Sequence, residues 1–436
     1  MVRALVVIAS LLMLGTVTPA RFDLVIRNAR VLHGDGRVSA RVTVFISAGR
    51  ILRIDSSTGT DVAANRVLDA AGRTLIPGLI DAHVHVAPWT LPLFLKYGVT
   101  TVRDMHNRPD YILPLAASES PAQPRIVAAG AMLDGPGSFW KNVIVVDDFV
   151  SARAAVRREV DAGAAVIKVY TRLHPALVAT IVQEARARGV PVAAHLGKTT
   201  ATEAAMLGVT SIEHLSGIAE AASAEPERLY KAHDDFLGGW TTFELEWPSL
   251  TPAALDRVAR VLVERRIVLV PTLALHEAFS RLADADLRQD PALADVPGDV
   301  LDREWDPQDI LTRAHWTPQT LAAFKRTLPV LQRFIRSYRQ LGGRIVAGTD
   351  TPQQFVVPGA SLHRELELYV ASGLSPADAL RSATMDAAEL LGIAERTGTI
   401  DVGKDADLVL LDGDPLTDIR ATRRIVAVVR GGVLVH

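Results

Sequence analysis

The chain has 436 residues, 49% hydrophobic and 22% charged, with 47 lysines and arginines against 49 aspartates and glutamates, a formal net charge of -2 and no cysteine. That balance gives no general attraction to nucleic acid or anionic lipid, and no local basic patch stands out, so no nucleic-acid partner is expected. The missing cysteine excludes disulfides, thiolate metal sites, iron–sulfur clusters, a cysteine nucleophile and a lipid-modified N-terminal cysteine, so any metal must rest on nitrogen and oxygen ligands.

The first residues read Met-Val-Arg, then an apolar run over 4–17, then Thr18-Pro19-Ala20. A basic start, an apolar stretch short for a bilayer and a small residue at its end predict a cleaved signal peptide over residues 1–20. The expected location is therefore periplasmic or secreted, with no stable membrane insertion after cleavage. Short runs beginning at Asp23, Arg30, Val42, Arg50 and Arg66 follow as strands, with Gly34-Asp35-Gly36 as a turn. Strands resume near the C-terminus at Asp407, Ile425 and Gly432. Residues 21–77 plus 395–436 thus predict one composite domain, a small β-sandwich built from both chain ends.

Between them, over 78–394, short apolar runs alternate with amphipathic helices such as 151–162 and 175–188. Near eight such runs predict an α/β (β/α)8 TIM barrel, whose chemistry sits at the C-terminal ends of its strands. The first run ends in His83-Val-His85. Side chains two apart on a strand face the same way, so the two imidazoles can chelate one ion. Ile167-Lys168-Val169-Tyr170 places a lysine on an apolar strand: either it reaches solvent or a carboxylate, or it is a desolvated amine that takes up carbon dioxide. His195 and His214 end two further strands, and Asp350 ends the run Val346-Ala-Gly-Thr-Asp. Each has an ordinary structural reading alone. Gathered at one barrel mouth, they form a nitrogen-and-oxygen site suited to two divalent ions.

The order His83-x-His85, Lys168, His195, His214, Asp350, led by Pro77-Gly78-Leu-Ile-Asp-Ala-His, resembles the amidohydrolase superfamily. The tail from Gly398, Gly-Thr-Ile-Asp-Val-Gly-Lys-Asp-Ala-Asp-Leu-Val, resembles the return of that superfamily to its β-domain. Gly98-Val-Thr-Thr-Val-Arg-Asp and Ile167-Lys-Val-Tyr resemble its imidazolonepropionase-like and prolidase-like metal-dependent hydrolases, exported dipeptidases and carboxypeptidases among them. The resemblance implies that His83, His85 and Asp350 hold one metal, that His195 and His214 hold the other, and that carboxylated Lys168 bridges them. Zinc suits such ligands, as do manganese and cobalt. It further implies a bridging hydroxide that attacks a substrate carbonyl, with Asp350 as proton shuttle. True imidazolonepropionases and deaminases of the superfamily use one metal and lack the lysine, so Lys168 separates this chain from them.

The expected activity is hydrolysis of an amide in a peptide-like or N-acyl amino acid substrate. A lactonase, esterase or detoxifying hydrolase on the same site is the alternative, and a non-catalytic metal-binding protein is the reading from another class. Among substrate-facing candidates, Tyr170 shares the inward face of Lys168, and His363, near a helix start, is a candidate for the mouth. Arg172 and His174 read as loop residues, and Arg103-Asp104 as a buried ion pair. Two long excursions, 219–250 and 277–319, hold Trp240, Trp247, Trp305 and Trp316 and are expected to shape specificity, with a large hydrophobic or aromatic substrate group in view. A homo-oligomer is compatible with the sequence, though no heptad marks an interface.

Overall fold

The computed structural model describes residues 21–56 and 63–436; the signal-peptide expectation at 1–20 lies outside them. Strands β1 (Phe22–Leu32), β2 (Val38–Ser47), β3 (Arg50–Asp55), β4 (Ala64–Asp69) and β5 (Thr74–Pro77) come first. The middle of the chain holds β6 (Leu79–Val84), β7 (Val99–Asp104), β8 (Arg125–Ala128), β9 (Leu133–Asp134), β10 (Ile144–Val145), β11 (Ile167–Val169), β12 (Val192–Ala194), β13 (Ser211–Glu213), β14 (Val268–Val270) and β15 (Arg344–Ile345). The end adds β16 (Leu408–Leu411), β17 (Ile425–Arg430) and β18 (Val433–Leu434).

Both ends of the chain meet in one sheet, ordered β18-β17-β16-β5-β1-β2-β3, with β4 also paired to β1. The expected sandwich of two sheets is instead a single sheet that branches at β1. That strand is 11 residues long and gives one edge first to β4 and then to β5, while β2 takes the other edge. Register shifts along β1–β2 let it bend. Alternation divides its two faces. Leu75, Leu408, Leu410, Ala427 and Val429 face a core within the sheet domain, whereas Ile76, Val409, Leu411 and Val428 join the main core under the helix-covered strands.

The middle strands are parallel and form a three-stranded sheet, β6-β7-β8, and a seven-stranded sheet, β10-β9-β11-β12-β13-β14-β15. Hydrogen bonds link the two sheets: Ala165 N–H donates to the Ala128 carbonyl and Ala82 N–H to the Ala347 carbonyl, each at 2.9 Å, and Val84 bridges in parallel to Thr351. This is a TIM-barrel-like α/β fold with a sheet domain. The helix expected at 151 begins two residues earlier, as Phe149–Asp161, because the Asp148 carboxylate accepts the Val150 and Ser151 amides and caps it. The run from Arg344 pairs regularly only at Arg344–Ile345; beyond it the backbone follows β6, with Asp350 N–H bonded to the His83 carbonyl at 2.8 Å. No helix among the described residues is long and apolar enough to cross a membrane.

Candidate active site

His83 on β6 and His85 just past it project to the same side, as their spacing requires. His83 Nε2 lies 3.2 Å and His85 Nε2 2.9 Å from one oxygen, Asp350 Oδ1. The outer ring nitrogens settle what these inner ones carry. His83 Nδ1–H donates to Glu213 Oε2 at 2.7 Å, and His85 Nδ1–H donates to the His106 carbonyl at 3.1 Å, because a carboxylate and a carbonyl only accept. In the neutral rings both Nε2 atoms are then acceptors, and with Asp350 Oδ1 they converge within 4.8 Å. Three buried or half-buried acceptors turned on one another need a proton or a cation between them. The donor set therefore fits a divalent metal.

His214 completes the pattern, its Nδ1 held by Thr272 Oγ1 at 2.8 Å. Its ring lies 4.5 Å from that of His83 and 4.6 Å from that of His195, centroid to centroid. Burial, with the charges of neighbouring groups, holds His195 and His214 well below the usual histidine range, so both are neutral, as ligands must be. Burial opposes ionisation of Asp350, yet the electrostatic influence of the surrounding imidazoles, His214 and His83 foremost, holds its carboxyl well below its ordinary value. Lys168 is 2% exposed, and its Nζ has no hydrogen-bond partner among the described residues. Burial lowers its ammonium to about 8, which makes a neutral, reactive amine accessible near physiological pH.

Three of the surrounding residues adopt left-handed backbone without being glycine: His214 at φ 58°, Thr272 at 50° and Asp350 at 63°. Such conformations persist only where the surroundings impose them, and they cluster at functional sites. Gly348 shows how tightly the loop before Asp350 is packed. A Cβ there would meet Val270 Cγ1 at 2.6 Å, and His83 Cβ and N at 2.9 and 3.0 Å. Gly348→Ala is therefore expected to displace His83, costing about 1–3 kcal/mol of stability. Metal retention in the variant checks this, and wild-type metal content with wild-type stability would refute it.

The structure corrects two readings of the sequence. Arg103 and Asp104 do not pair with each other, because consecutive strand residues face opposite ways. Arg103 Nη2 instead reaches Glu213 Oε1 at 2.9 Å, and Asp104 Oδ2 accepts the Val86 amide at 2.7 Å. Glu213 thus links Arg103 to His83 and fixes that imidazole, a role not legible in the sequence. Its only signal is a carboxylate directly before His214. His363 does not reach the mouth either. Its helix turns it inward, fully buried, where Thr422 Oγ1 and the Tyr97 carbonyl take its ring nitrogens at 3.0 and 3.1 Å. His106 is also structural: Nδ1 accepts the Met132 amide and Nε2–H donates to the Lys141 carbonyl. Arg172 is tied to the Pro136 and Asp234 carbonyls, and His174 to the Tyr230 hydroxyl.

Lys168, Tyr170, His83, His85, His195, His214 and Asp350 all line one cavity of about 800 Å³. Trp140, Phe236, Trp240, Trp305 and Trp316 supply much of its wall. Trp247, by contrast, is buried against Phe243 and Phe334. Tyr170 Oη accepts the Trp140 indole N–H at 2.7 Å. Arg108, Lys141 and Arg313 also line the cavity, where, among the described residues, Glu304 is the one carboxylate besides Asp350.

This fold and donor set define a metal-dependent hydrolase. The chain belongs to the amidohydrolase family, whose profile matches residues 74–435. It is 35% identical over 103 residues to an imidazolonepropionase of Thermoplasma volcanium, a stretch that covers 23% of this chain and 24% of that enzyme. The match thus spans less than a quarter of that relative. Among solved structures, a candidate prolidase from Bifidobacterium longum superposes with a TM-score of 0.71 at 25% identity, covering 95% of each chain. A Xaa-Pro dipeptidase with methionine bound in its active site gives 0.68 at 22% identity over 94% of this chain and 99% of that one. The latter likeness shows the shared fold.

Proposed function

We propose that the chain is a binuclear metal-dependent hydrolase that cleaves an amide bond in a peptide-like or N-acyl amino acid substrate. The observation that carries this is the meeting of His83, His85, His195, His214, Asp350 and the buried Lys168 amine, unpartnered among the described residues, in a single cavity. His83, His85 and Asp350 would hold one ion, His195 and His214 the other, and Lys168, carboxylated by carbon dioxide, would join them. Divalent cations there, zinc first among those the ligands suit, supply a Lewis acid for a carbonyl oxygen and lower the pKa of a water.

The remaining work falls to the chain's own side chains. Asp350, kept ionised by its histidine neighbours, accepts the proton of the attacking water and returns it to the leaving amine. Tyr170 already accepts from Trp140, which leaves its own hydroxyl proton for a substrate oxygen. Glu213 holds His83 in one tautomer through its outer nitrogen. The cationic excess of Arg108, Lys141 and Arg313 around the cavity favours a substrate with a free carboxylate. The same reading keeps residues 1–20 as an export signal, a closed (β/α)8 barrel over 78–394 and the composite β-domain over 21–77 and 395–436.

Metal analysis is the first test. About two ions per chain are expected, lost on chelation together with activity. A panel of dipeptides, N-acyl amino acids and lactones then identifies the bond cleaved. Turnover of lactones alone would move the assignment to a lactonase. A Lys168→Ala variant with full metal content and full turnover would remove the bridging role.

A further inference from the structure

Metal-ligand chemistry fills one part of the cavity, and aromatic rings dominate the rest. Phe139, Phe236 and Tyr170 stack in succession, with ring centroids 5.0 and 5.8 Å apart and interplanar angles of 28° and 26°. Tyr170 in turn meets the His195 ring edge-on at 4.7 Å. This ladder runs from the surface, where Phe139 is 40% exposed, to the imidazoles. Trp240, Trp305 and Trp316 add a second aromatic surface to the same cavity, and all three are anchored in one apolar cluster. Phe139 and Trp140, both partly exposed and with rings 5.0 Å apart, form a contiguous aromatic patch of the kind that marks a ligand groove. At about 800 Å³ the cavity sits high in the range of roughly 300–1,000 Å³ that accommodates drug-sized ligands, more than a dipeptide of small residues fills.

We propose that the substrate carries a bulky, flat aromatic group that lies along the Phe139–Phe236–Tyr170 ladder while its amide meets the imidazoles. The proposal rests on the hydrolase reading above and narrows it: a small dipeptide leaves the ladder uncovered, and an amide with a fused or substituted ring covers it. The rings cover one another's faces and leave their edges, so a flat group lying along the ladder makes edge-to-face contacts that add to the apolar area removed from water and give both affinity and placement.

The metal-loaded enzyme is assayed with N-(2-naphthoyl)-L-alanine and N-acetyl-L-2-naphthylalanine, against N-acetyl-L-alanine and L-alanyl-L-alanine. One of the naphthyl compounds is expected to show kcat/KM about 30-fold above N-acetyl-L-alanine. Phe139→Ala, a surface loop change, is expected to lower that ratio by about 5-fold. Equal constants for the aromatic and the small amides would overturn the proposal while the hydrolase reading stands, and an unchanged ratio in Phe139→Ala would overturn the placement on the ladder. If no amide is cleaved, the amide-hydrolase reading fails and binding alone decides. Saturable quenching of tryptophan fluorescence by N-(2-naphthoyl)glycine in the chelated protein, weakened in Phe139→Ala, supports the aromatic site; no saturable quenching, or the same Kd in the variant, overturns it.

Discussion

Lys168→Met is expected to stabilise the metal-free protein by roughly 3 kcal/mol at pH 7 while abolishing measurable hydrolysis. The amine is buried without a partner, and burial lowers its pKa from 10.5 to about 8. The folded value lies below the unfolded one, so between about 8 and 10.5 the unfolded chain binds the proton that the folded chain has released. Stability of the wild type therefore rises with pH across that window, and the full penalty of the charged amine is present below it. Methionine has a similar length and no proton, so the variant lacks this slope. Denaturant unfolding of chelated protein at pH 7 and pH 10 measures both quantities. A variant less stable than wild type at pH 7, or one with the same slope, would show that the amine is satisfied in the folded state.

Asp350→Asn is expected to lower kcat/KM by about 10³-fold or more and to reduce metal content. Its Oδ1 is the point where His83 and His85 meet, and its carboxylate is the proposed proton carrier. An asparagine can neither carry that proton nor match the carboxylate as a ligand. It can, however, donate its amide N–H to the histidine Nε2 atoms, so the metal-free fold is expected to survive within about 1 kcal/mol. Loss of activity without loss of fold is the signature, read from metal analysis, kinetics on the best substrate of the panel and thermal unfolding. Activity above a tenth of wild type would remove Asp350 from the chemistry.

Much of the site was legible because its residues sit where strand geometry alone decides direction. Two histidines at positions 83 and 85 must point the same way, and residues 195 and 214 fall directly after strands that end at 194 and 213. Lys168 and Tyr170 share an inward face for the same reason. The partners that orient these groups were not legible, because each comes from a distant part of the chain. Arg103 meets Glu213 from β7, and Thr272 meets His214 from the turn after β14. The aromatic ladder needs three separate segments to converge. His363 misled because its distance from a helix start does not give the rotation of that helix, and here the ring turned toward Tyr97 and Thr422. The expected sandwich failed for a related reason: strand count was visible at both ends, but the branching of one long strand between two neighbours was not.

The composite sheet also constrains the order in which the molecule can assemble. Strand β5 pairs along its length with β16, from Pro77 opposite Leu408 to Thr74 opposite Leu411. The N-terminal strands therefore carry an open edge until the last part of the chain has been made, a slow, non-local closure of the kind that exposes folding intermediates to aggregation. That closure also reaches the site, because Gly78, bonded through its amide to the Asp407 carbonyl at 2.8 Å, leads straight into the strand that bears His83. Synthesis of the final strands is thus the step at which the C-terminal end of β6 acquires a fixed support, and a chain cut short before them would be expected to hold His83 and His85 loosely.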